Sequence, residues 1–181
     1  MSETRSLFDS VDINDVQAAA GRLGGPGALL VSALVQGVLG TPPHRLVVGS
    51  RLLRPTVAAA LSWGWTDETV SRALAVAFGL AVGLGGRERV WCLLDSESSD
   101  EGGTWEAARA AAVAPAAALT ACIVVPESES RTLGAFWDAA GWAVSEIDGN
   151  SAWEIFGGID QALALGTRPI TLLVVTELQI S

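Results

Sequence analysis

RVWCLLDSESSDEGGTWEAARAAA, residues 89–112, is the stretch that decides the fold. It begins with an apolar run, Val90 to Leu94, whose length and content of β-branched and aromatic side chains predict a buried strand. An acidic turn with two glycines follows. The chain then becomes alanine-rich, and Thr104 is the predicted N-cap of a helix. A strand, a polar turn and a helix N-terminus are typical of the ligand-facing corner of a parallel α/β sheet.

The same alternation continues to the end of the chain. Strands are predicted at residues 46–48, 90–94, 119–125, 142–147 and 170–175. Helices are predicted at residues 15–22, 28–39, 56–63, 68–83 (with Thr66 as N-cap), 104–113, 132–140 and 153–165. Strands that alternate with helices over short connections predict an α/β fold, with three α/β/α layers and a mostly parallel sheet. Helix 68–83 is built almost entirely of small apolar residues, so we expect it to pack closely, with another subunit as a candidate partner.

Composition limits the function classes. The chain has 181 residues, half of them hydrophobic, and is interpreted as a single domain over residues 1–181. Its net charge of −9 argues against nucleic acid and against an anionic membrane surface as partners. Neither a membrane-spanning run nor a signal-peptide pattern is visible, so a cytoplasmic location is expected.

Absent residue types exclude several chemistries. The chain has no lysine, which excludes Schiff-base chemistry and a phosphate-loop lysine from this subunit. A single histidine, His44, and two cysteines cannot assemble a zinc site. Cys92 and Cys122 lie within apolar strand-like runs and are interpreted as small buried hydrophobic residues. His44 precedes a predicted strand, where a solvated or capping role is expected.

Four segments carry a resemblance to a known family. They are GGPG (24–27), RLVVGS (45–50), EGGTWEA (101–107) and SEIDGNSAWEI (145–155). Their order and spacing over nearly the whole chain resemble the N-terminal, diphosphate-binding half of transketolases. The resemblance implies a thiamine-diphosphate-binding fold. It also implies that the chain is the N-terminal subunit of a split, transketolase-like enzyme that partners a C-terminal-type subunit, for example in a dimer of heterodimers.

The sequence departs from the family where the cofactor is held. Gly25 replaces the histidine of the GHPG motif, and the GHGS region, here residues 50–53, has no histidine. Asp95, Ser96 and Glu97 occupy the position of the GDG motif, with Ser96 in place of the metal-binding aspartate. Pro126 falls at the metal-binding asparagine. Thiamine diphosphate and Mg²⁺, which the resemblance implies for the complex, would therefore meet a degenerate site.

Charge makes that site unfavourable for a diphosphate. Mg²⁺ bound by carboxylate and amide oxygens normally neutralises such a group. Here Asp95, Glu97, Asp100 and Glu101 surround the turn, and neither a lysine nor a nearby arginine offsets them. We therefore interpret the site as decayed. The alternative is that Asp95 or Glu97 shifts into the role of the missing ligand.

Other residues of the motif point to an interface. Glu101 and Glu106 match the family's acidic pair at the subunit interface, where the helix that begins at this motif packs against its counterpart. Alternatively, Glu106 only stabilises the first turn of its own helix through the helix dipole. Tryptophan is frequent at interface hot spots. Trp63, Trp65, Trp105 and Trp137 are candidate interface anchors, whereas Trp91 and Trp142 are assigned to the core.

Two function hypotheses remain from the sequence. In the first, the chain belongs to a two-component complex for thiamine-diphosphate-dependent two-carbon ketol or acyl transfer. It then either supplies the diphosphate site or, as we favour, has lost that site and acts as a structural or regulatory partner. In the second, it is a non-enzymatic scaffold or interaction module unrelated to thiamine. A free-standing hydrolase is disfavoured, since the sequence contains no Gly-x-Ser-x-Gly motif.

Overall fold

Six parallel strands form one sheet in the computed structural model, which describes residues 11–25, 27–39, 44–61, 65–164 and 166–177. The strands are β1 (His44–Val48), β2 (Trp65–Asp67), β3 (Arg89–Asp95), β4 (Leu119–Pro126), β5 (Ala143–Asp148) and β6 (Ile170–Thr176). Their order across the sheet is β2-β1-β3-β4-β6-β5, and every neighbouring pair is parallel. The predicted α/β class and parallel sheet are confirmed.

Helices cover both faces of the sheet. They are α1 (Ile13–Leu23), α2 (Ala28–Leu34, extended by a π-helical turn at Val35–Leu39), α3 (Arg54–Ala60), α4 (Ala73–Leu84), α5 (Ser96–Ser99), α6 (Gly102–Val113), α7 (Glu127–Ala139) and α8 (Ala152–Ala164). Helices α1, α2, α3 and α8 share a hydrophobic core with one face of the sheet, and α4, α6 and α7 share a second core with the other. The middle strands are continuous apolar runs because both of their faces are covered.

One strand was missed by the sequence prediction. Thr66 was predicted to cap a helix beginning at residue 68, but it lies in the edge strand β2, and helix α4 begins only at Ala73. An ion pair holds the end of this strand, with Arg54 Nε 2.7 Å from Asp67 Oδ1. The same guanidinium donates to the carbonyl of Glu68 at 2.9 Å. Three residues with a polar pattern are too short for a recognisable strand signal, so this tertiary pairing decided their conformation.

The predicted cap of helix α6 was also wrong. The helix begins at Gly102, with Glu101 as N-cap, and Thr104 lies inside its first turn. The Thr104 side chain is fully buried, and its hydroxyl donates to the carbonyl of Ser98 at 2.8 Å. The one-turn helix α5 precedes α6, and its last carbonyls need donors. Thr104 therefore stabilises the end of α5 rather than the beginning of α6.

The buried aromatic and sulfur residues test the other sequence interpretations. Trp91 and Trp142 are fully buried, as predicted. Trp137 is equally buried, so its assignment as an interface anchor was wrong, whereas Trp65 is half-buried against the core and Trp63 lies outside the described residues. Cys92 and Cys122 are buried in the two different cores, and burial raises the pKa of both thiols. No helix within the described ranges is both long and apolar enough to cross a bilayer.

Candidate functional site

The strand order creates a crevice between β1 and β3. The chain leaves β1 into α3 on one face of the sheet and leaves β3 into α5 and α6 on the other side. Adjacent strands whose connections diverge in this way form the usual ligand crevice of an open α/β sheet. In this protein the crevice is bordered by Gly49 and Ser50, which follow β1, and by Asp95 and Ser96, which are the last residue of β3 and the first residue of α5.

Asp95 occupies this crevice as a structural residue. Its carboxylate is 7% exposed and accepts three hydrogen bonds. The Ser98 amide and the Ser98 hydroxyl donate to Oδ1 at 2.7 and 2.5 Å, and the Ser50 hydroxyl donates to Oδ2 at 2.5 Å. Ser98 Oγ in turn accepts the Asp95 amide at 2.7 Å, which completes a capping box at the N-terminus of α5. Both carboxylate oxygens are therefore already used within the chain.

Ser50 couples the two strands. Besides donating to Asp95, its hydroxyl accepts the amide of Leu53 at 3.0 Å, and it is fully buried. The preceding Gly49 is also required, because a Cβ there would collide with the side chain of Ala73. Neither Ser50 nor Ser98 was singled out from the sequence. A serine three residues after an acidic strand end is the signal of a capping box that could have identified Ser98.

Ser96 and Glu97 line an open pocket next to this crevice. The pocket has a volume of about 500 Å³ and also contacts Asp100, Ser128, Glu129, Thr132 and Leu133. Its lining therefore carries three carboxylates and three hydroxyls, and among the described residues no basic side chain lines it. Such a lining repels an anion.

The residues do not fit a metal-bridged diphosphate. Ser96 offers only a hydroxyl, and Pro126, buried as the last residue of β4, offers no side-chain oxygen. Asp95 is held by Ser50 and Ser98 as described above. Within the part of the chain that the structure describes, no group of three or more His, Cys, Asp or Glu side chains is placed to hold a metal ion. Mg²⁺ requires several oxygen ligands in near-octahedral geometry.

The predicted interface residues lie at the start of α6, with Glu101 as its N-cap and Trp105 and Glu106 inside the helix. Glu101 and Glu106 are exposed. Trp105 is half-buried and packs between α6 and α7, with its ring centroid 4.1 Å from that of Phe136 and 5.5 Å from that of Trp137. Phe136 is 54% exposed, so this aromatic side chain, rather than Trp105, reaches the surface.

His44 lies at the opposite end of β1 from the crevice. Burial lowers its pKa below the usual 6.5, and the nearby Arg89 lowers it further, whereas Glu88 acts in the opposite direction. Its Nδ1 is buried without a hydrogen-bond partner among the described residues. The half-buried ring lies 6.5 Å from that of Trp91, so the expectation of a solvated or capping histidine was wrong.

A second group of acidic residues was missed by the sequence analysis. It lies at the carboxyl ends of β4, β5 and β6, where an open pocket of about 400 Å³ is lined by Glu127, Glu146, Asp148, Glu154 and Glu177. Thr176 also lines it and lines the adjoining pocket against Gly25 and Gly27. The sequence contained a sign of this group, because acidic residues recur near the ends of three predicted strands.

Comparisons with known proteins agree with the fold. Transketolase of Pichia stipitis, in complex with sedoheptulose 7-phosphate, superposes with a TM-score of 0.69 at 14% identity, over 94% of this chain and 36% of that one. Transketolase of Campylobacter jejuni superposes with a TM-score of 0.67 at 15% identity, over 94% and 37%. A protein of Mycobacterium smegmatis assigned as a thiamin diphosphate-dependent enzyme gives a TM-score of 0.67 at 13% identity, over 84% and 32%.

These likenesses establish the fold alone, because the identities are low. The chain spans about a third of the length of each of these proteins. No protein-family model matches the sequence, and no curated protein matches it either.

Proposed function

We propose that this chain is the N-terminal-type subunit of a two-component, transketolase-like complex, and that its own diphosphate site has decayed. The complex would carry out thiamine-diphosphate-dependent two-carbon ketol or acyl transfer, with a separate C-terminal-type subunit. This chain would contribute a structural or regulatory part. The fold shared with transketolases over about a third of their length supports this assignment.

The observation that carries the proposal is the engagement of Asp95. A carboxylate has about four lone-pair positions, and three of those of Asp95 already accept hydrogen bonds from Ser50 and Ser98. Those bonds also join β1, β3 and α5. Asp95 therefore has at most one position left for a metal ion, and the pocket beside it adds three carboxylates and no basic side chain among the described residues.

Helix α4 supports the proposed subunit contact. Its twelve residues, ALAVAFGLAVGL, include no charged side chain, and Val82 is 40% exposed. Gly79 and Gly83 are exposed, and a Cβ at either position would meet no atom within 4 Å. Helix α4 packs beside α6, which carries the exposed Glu106, so both predicted interface elements belong to one layer. A partner helix could approach closely along this uncharged surface.

Calorimetry tests the decayed site. The purified chain, alone and with its C-terminal-type partner, is titrated with thiamine diphosphate in the presence of Mg²⁺. The expected result is no binding by the chain alone, and binding by the pair that Ser96→Arg leaves unchanged. Ala139→Arg, an exposed residue of α7 outside the pocket, is the matched control. Binding that Ser96→Arg abolishes and Ala139→Arg preserves would instead place a working cofactor site here.

The second candidate function is a scaffold unrelated to thiamine. It is favoured by apolar side chains exposed on both layers: Trp153 at 65%, Phe136 at 54% and Val113 at 90%. Co-purification from the native source separates the two candidates. Recovery of a transketolase C-terminal-type protein supports the first, and recovery of the chain as a monomer without such a protein supports the second.

A further inference from the structure

The amino end of β1 is paired on one side of the strand only. β2 pairs with residues 46–48 of β1, whereas among the described residues β3 alone pairs with His44 and Arg45. The register places His44 directly beside Arg89, the first residue of β3. The first two residues of β1 can therefore separate from the sheet by losing one neighbouring strand instead of two.

The surroundings of His44 suit a neutral imidazole. Both nitrogens of a protonated imidazole are donors, and Nδ1 is buried without a hydrogen-bond partner among the described residues. Protonation would therefore leave a buried N–H without an acceptor, which costs free energy. The neighbouring Trp91 carries a donor nitrogen and no acceptor. Its ring centroid lies 6.5 Å from that of His44, beyond the about 6 Å over which an aromatic face stabilises a cation.

Two charged side chains act on His44, and both lie where β3 begins. Arg89 disfavours protonation, and its guanidinium is held in place because Nη1 donates to Thr120 Oγ1 at 3.1 Å. Glu88 favours protonation, but its carboxylate is already in an ion pair, with Arg45 Nε 2.7 Å from Glu88 Oε2. The attraction between Glu88 and a charged imidazole is therefore partly cancelled by Arg45.

β1 also packs against α4, the π-helical turn Val35–Leu39 and β2, and none of them brings a further charge to His44. α4 and the π-helical turn contain no charged residue. Asp67, the one charged residue of β2, lies at the other end of β1, in register with Val48. Burial, and then Arg89, lower the pKa of His44 below the usual 6.5. An imidazole released from the sheet would take up a proton at a higher pH.

We propose that His44 is a pH-sensitive latch for the amino end of β1. With a neutral imidazole, His44 and Arg45 stay paired with β3. With a protonated one, this end of the strand separates while the rest of the sheet stays folded, because separation lets the charged ring reach water and leave Arg89. The latch is independent of the proposed subunit role, since it uses neither the Asp95 hydrogen bonds nor the surface of α4.

Amide hydrogen exchange of the full chain at about pH 7.5 and about pH 5, corrected for intrinsic exchange rates, tests the latch. We expect the protection of residues 44–46 to fall by about threefold or more at the lower pH, while the protection of β4 and β6 is retained. His44→Gln, which cannot become charged, should remove the pH dependence at residues 44–46. Since the chain has one histidine, its imidazole signals in an NMR titration report the protonation directly.

Arg89→Gln tests the electrostatic part of the latch. Without the facing guanidinium the pKa of His44 should rise, and the loss of protection at residues 44–46 on acidification should be smaller than in the wild type. Arg168→Gln is the matched control, because this exposed arginine does not act on His44, and it should change neither quantity.

Three results would overturn the latch. In the first, the His44 signals titrate while residues 44–46 stay protected, so the closed strand accommodates the charge. In the second, protection is lost equally in β4 and β6, which indicates global unfolding instead of local opening. In the third, His44→Gln shows the same pH dependence as the wild type, or the wild-type signals show no protonation down to about pH 5.

Discussion

At the scale of single residues, the Asp95 carboxylate holds together the crevice between β1 and β3. Asp95 follows an apolar strand, the position at which α/β proteins present ligand-binding carboxylates. In this chain Ser50 and Ser98 satisfy both of its oxygens, and Ser50 also holds the Leu53 amide. This one carboxylate therefore connects two strands and a helical turn.

Removing the Ser50 hydroxyl should therefore affect stability. Ser50→Ala leaves the buried Asp95 Oδ2 and the Leu53 amide without their partner, so we expect the free energy of unfolding to fall by about 1–3 kcal/mol. Urea denaturation measures the change. Ser128→Ala, at an exposed position of α7, serves as the control and should shift stability by less than about 0.5 kcal/mol. Equal stability of the two variants would mean that the Asp95 network is not structural.

The single histidine gives a prediction for pH. Because the pKa of His44 is lower in the folded protein than the usual 6.5, the unfolded chain binds more protons in the interval between the two values. Stability should thus rise with pH through this interval and be lost as the pH falls through it. His44→Gln removes this component, so its stability should depend less on pH as the pH falls below about 6.5. Identical pH profiles of thermal unfolding for wild type and variant would contradict the assigned shift.

At the scale of elements, strands and local helical turns were predicted with unequal success. The runs that became β3, β4 and β6 were recognised because both of their faces are covered and their residues are mostly apolar. The elements missed or misplaced were β2, helix α5 and the first turn of α6. They depend on side-chain contacts that join one element to the next, such as Arg54 of α3 with Asp67 of β2 and Thr104 of α6 with Ser98 of α5. The position of Asp95 at the end of a buried strand was predictable, but the hydrogen bonds that occupy its carboxylate were not.

The start of α6 provides a matched pair of glycines. A Cβ at Gly103 would collide with the backbone oxygen of Ser71, whereas one at Gly102 would meet nothing within 4 Å. Gly103→Ala should therefore cost about 1–3 kcal/mol of unfolding free energy through overpacking. Gly102→Ala should be neutral or gain about 0.5 kcal/mol through helix propensity. Chemical denaturation of both variants measures which of them has the larger free energy of unfolding. If Gly103→Ala were the more stable of the two, the close contact between α6 and the segment before α4 would be refuted.

At the scale of the whole molecule, charge and apolar surface are segregated. The net charge of −9 is concentrated in part at the carboxyl edge of the sheet, where two pockets are lined by acidic groups. Helix α4, in contrast, carries no charge over twelve residues. Two copies of so acidic a chain repel each other over most of their surface, so an uncharged helix is the surface where a partner can approach without electrostatic cost.

Placing one arginine on each of the two helix layers would show which layer contacts the proposed C-terminal-type subunit. Val82 on α4 and Trp153 on α8 are exposed apolar residues in opposite layers of the sandwich. Both Val82→Arg and Trp153→Arg should leave the isolated chain folded, because the two side chains are 40% and 65% exposed and an arginine can extend from either position into solvent. In a complex built through α4, Val82→Arg should weaken association with the C-terminal-type subunit by about tenfold or more, since a charge would be buried at the contact. Trp153→Arg should leave it unchanged.

Size-exclusion chromatography followed by calorimetry on the mixed subunits measures both effects. If Trp153→Arg dissociates the pair and Val82→Arg does not, the partner lies on the α1–α2–α3–α8 layer, and the uncharged character of α4 has another cause. If neither variant alters association, the contact uses the edge of the sheet instead.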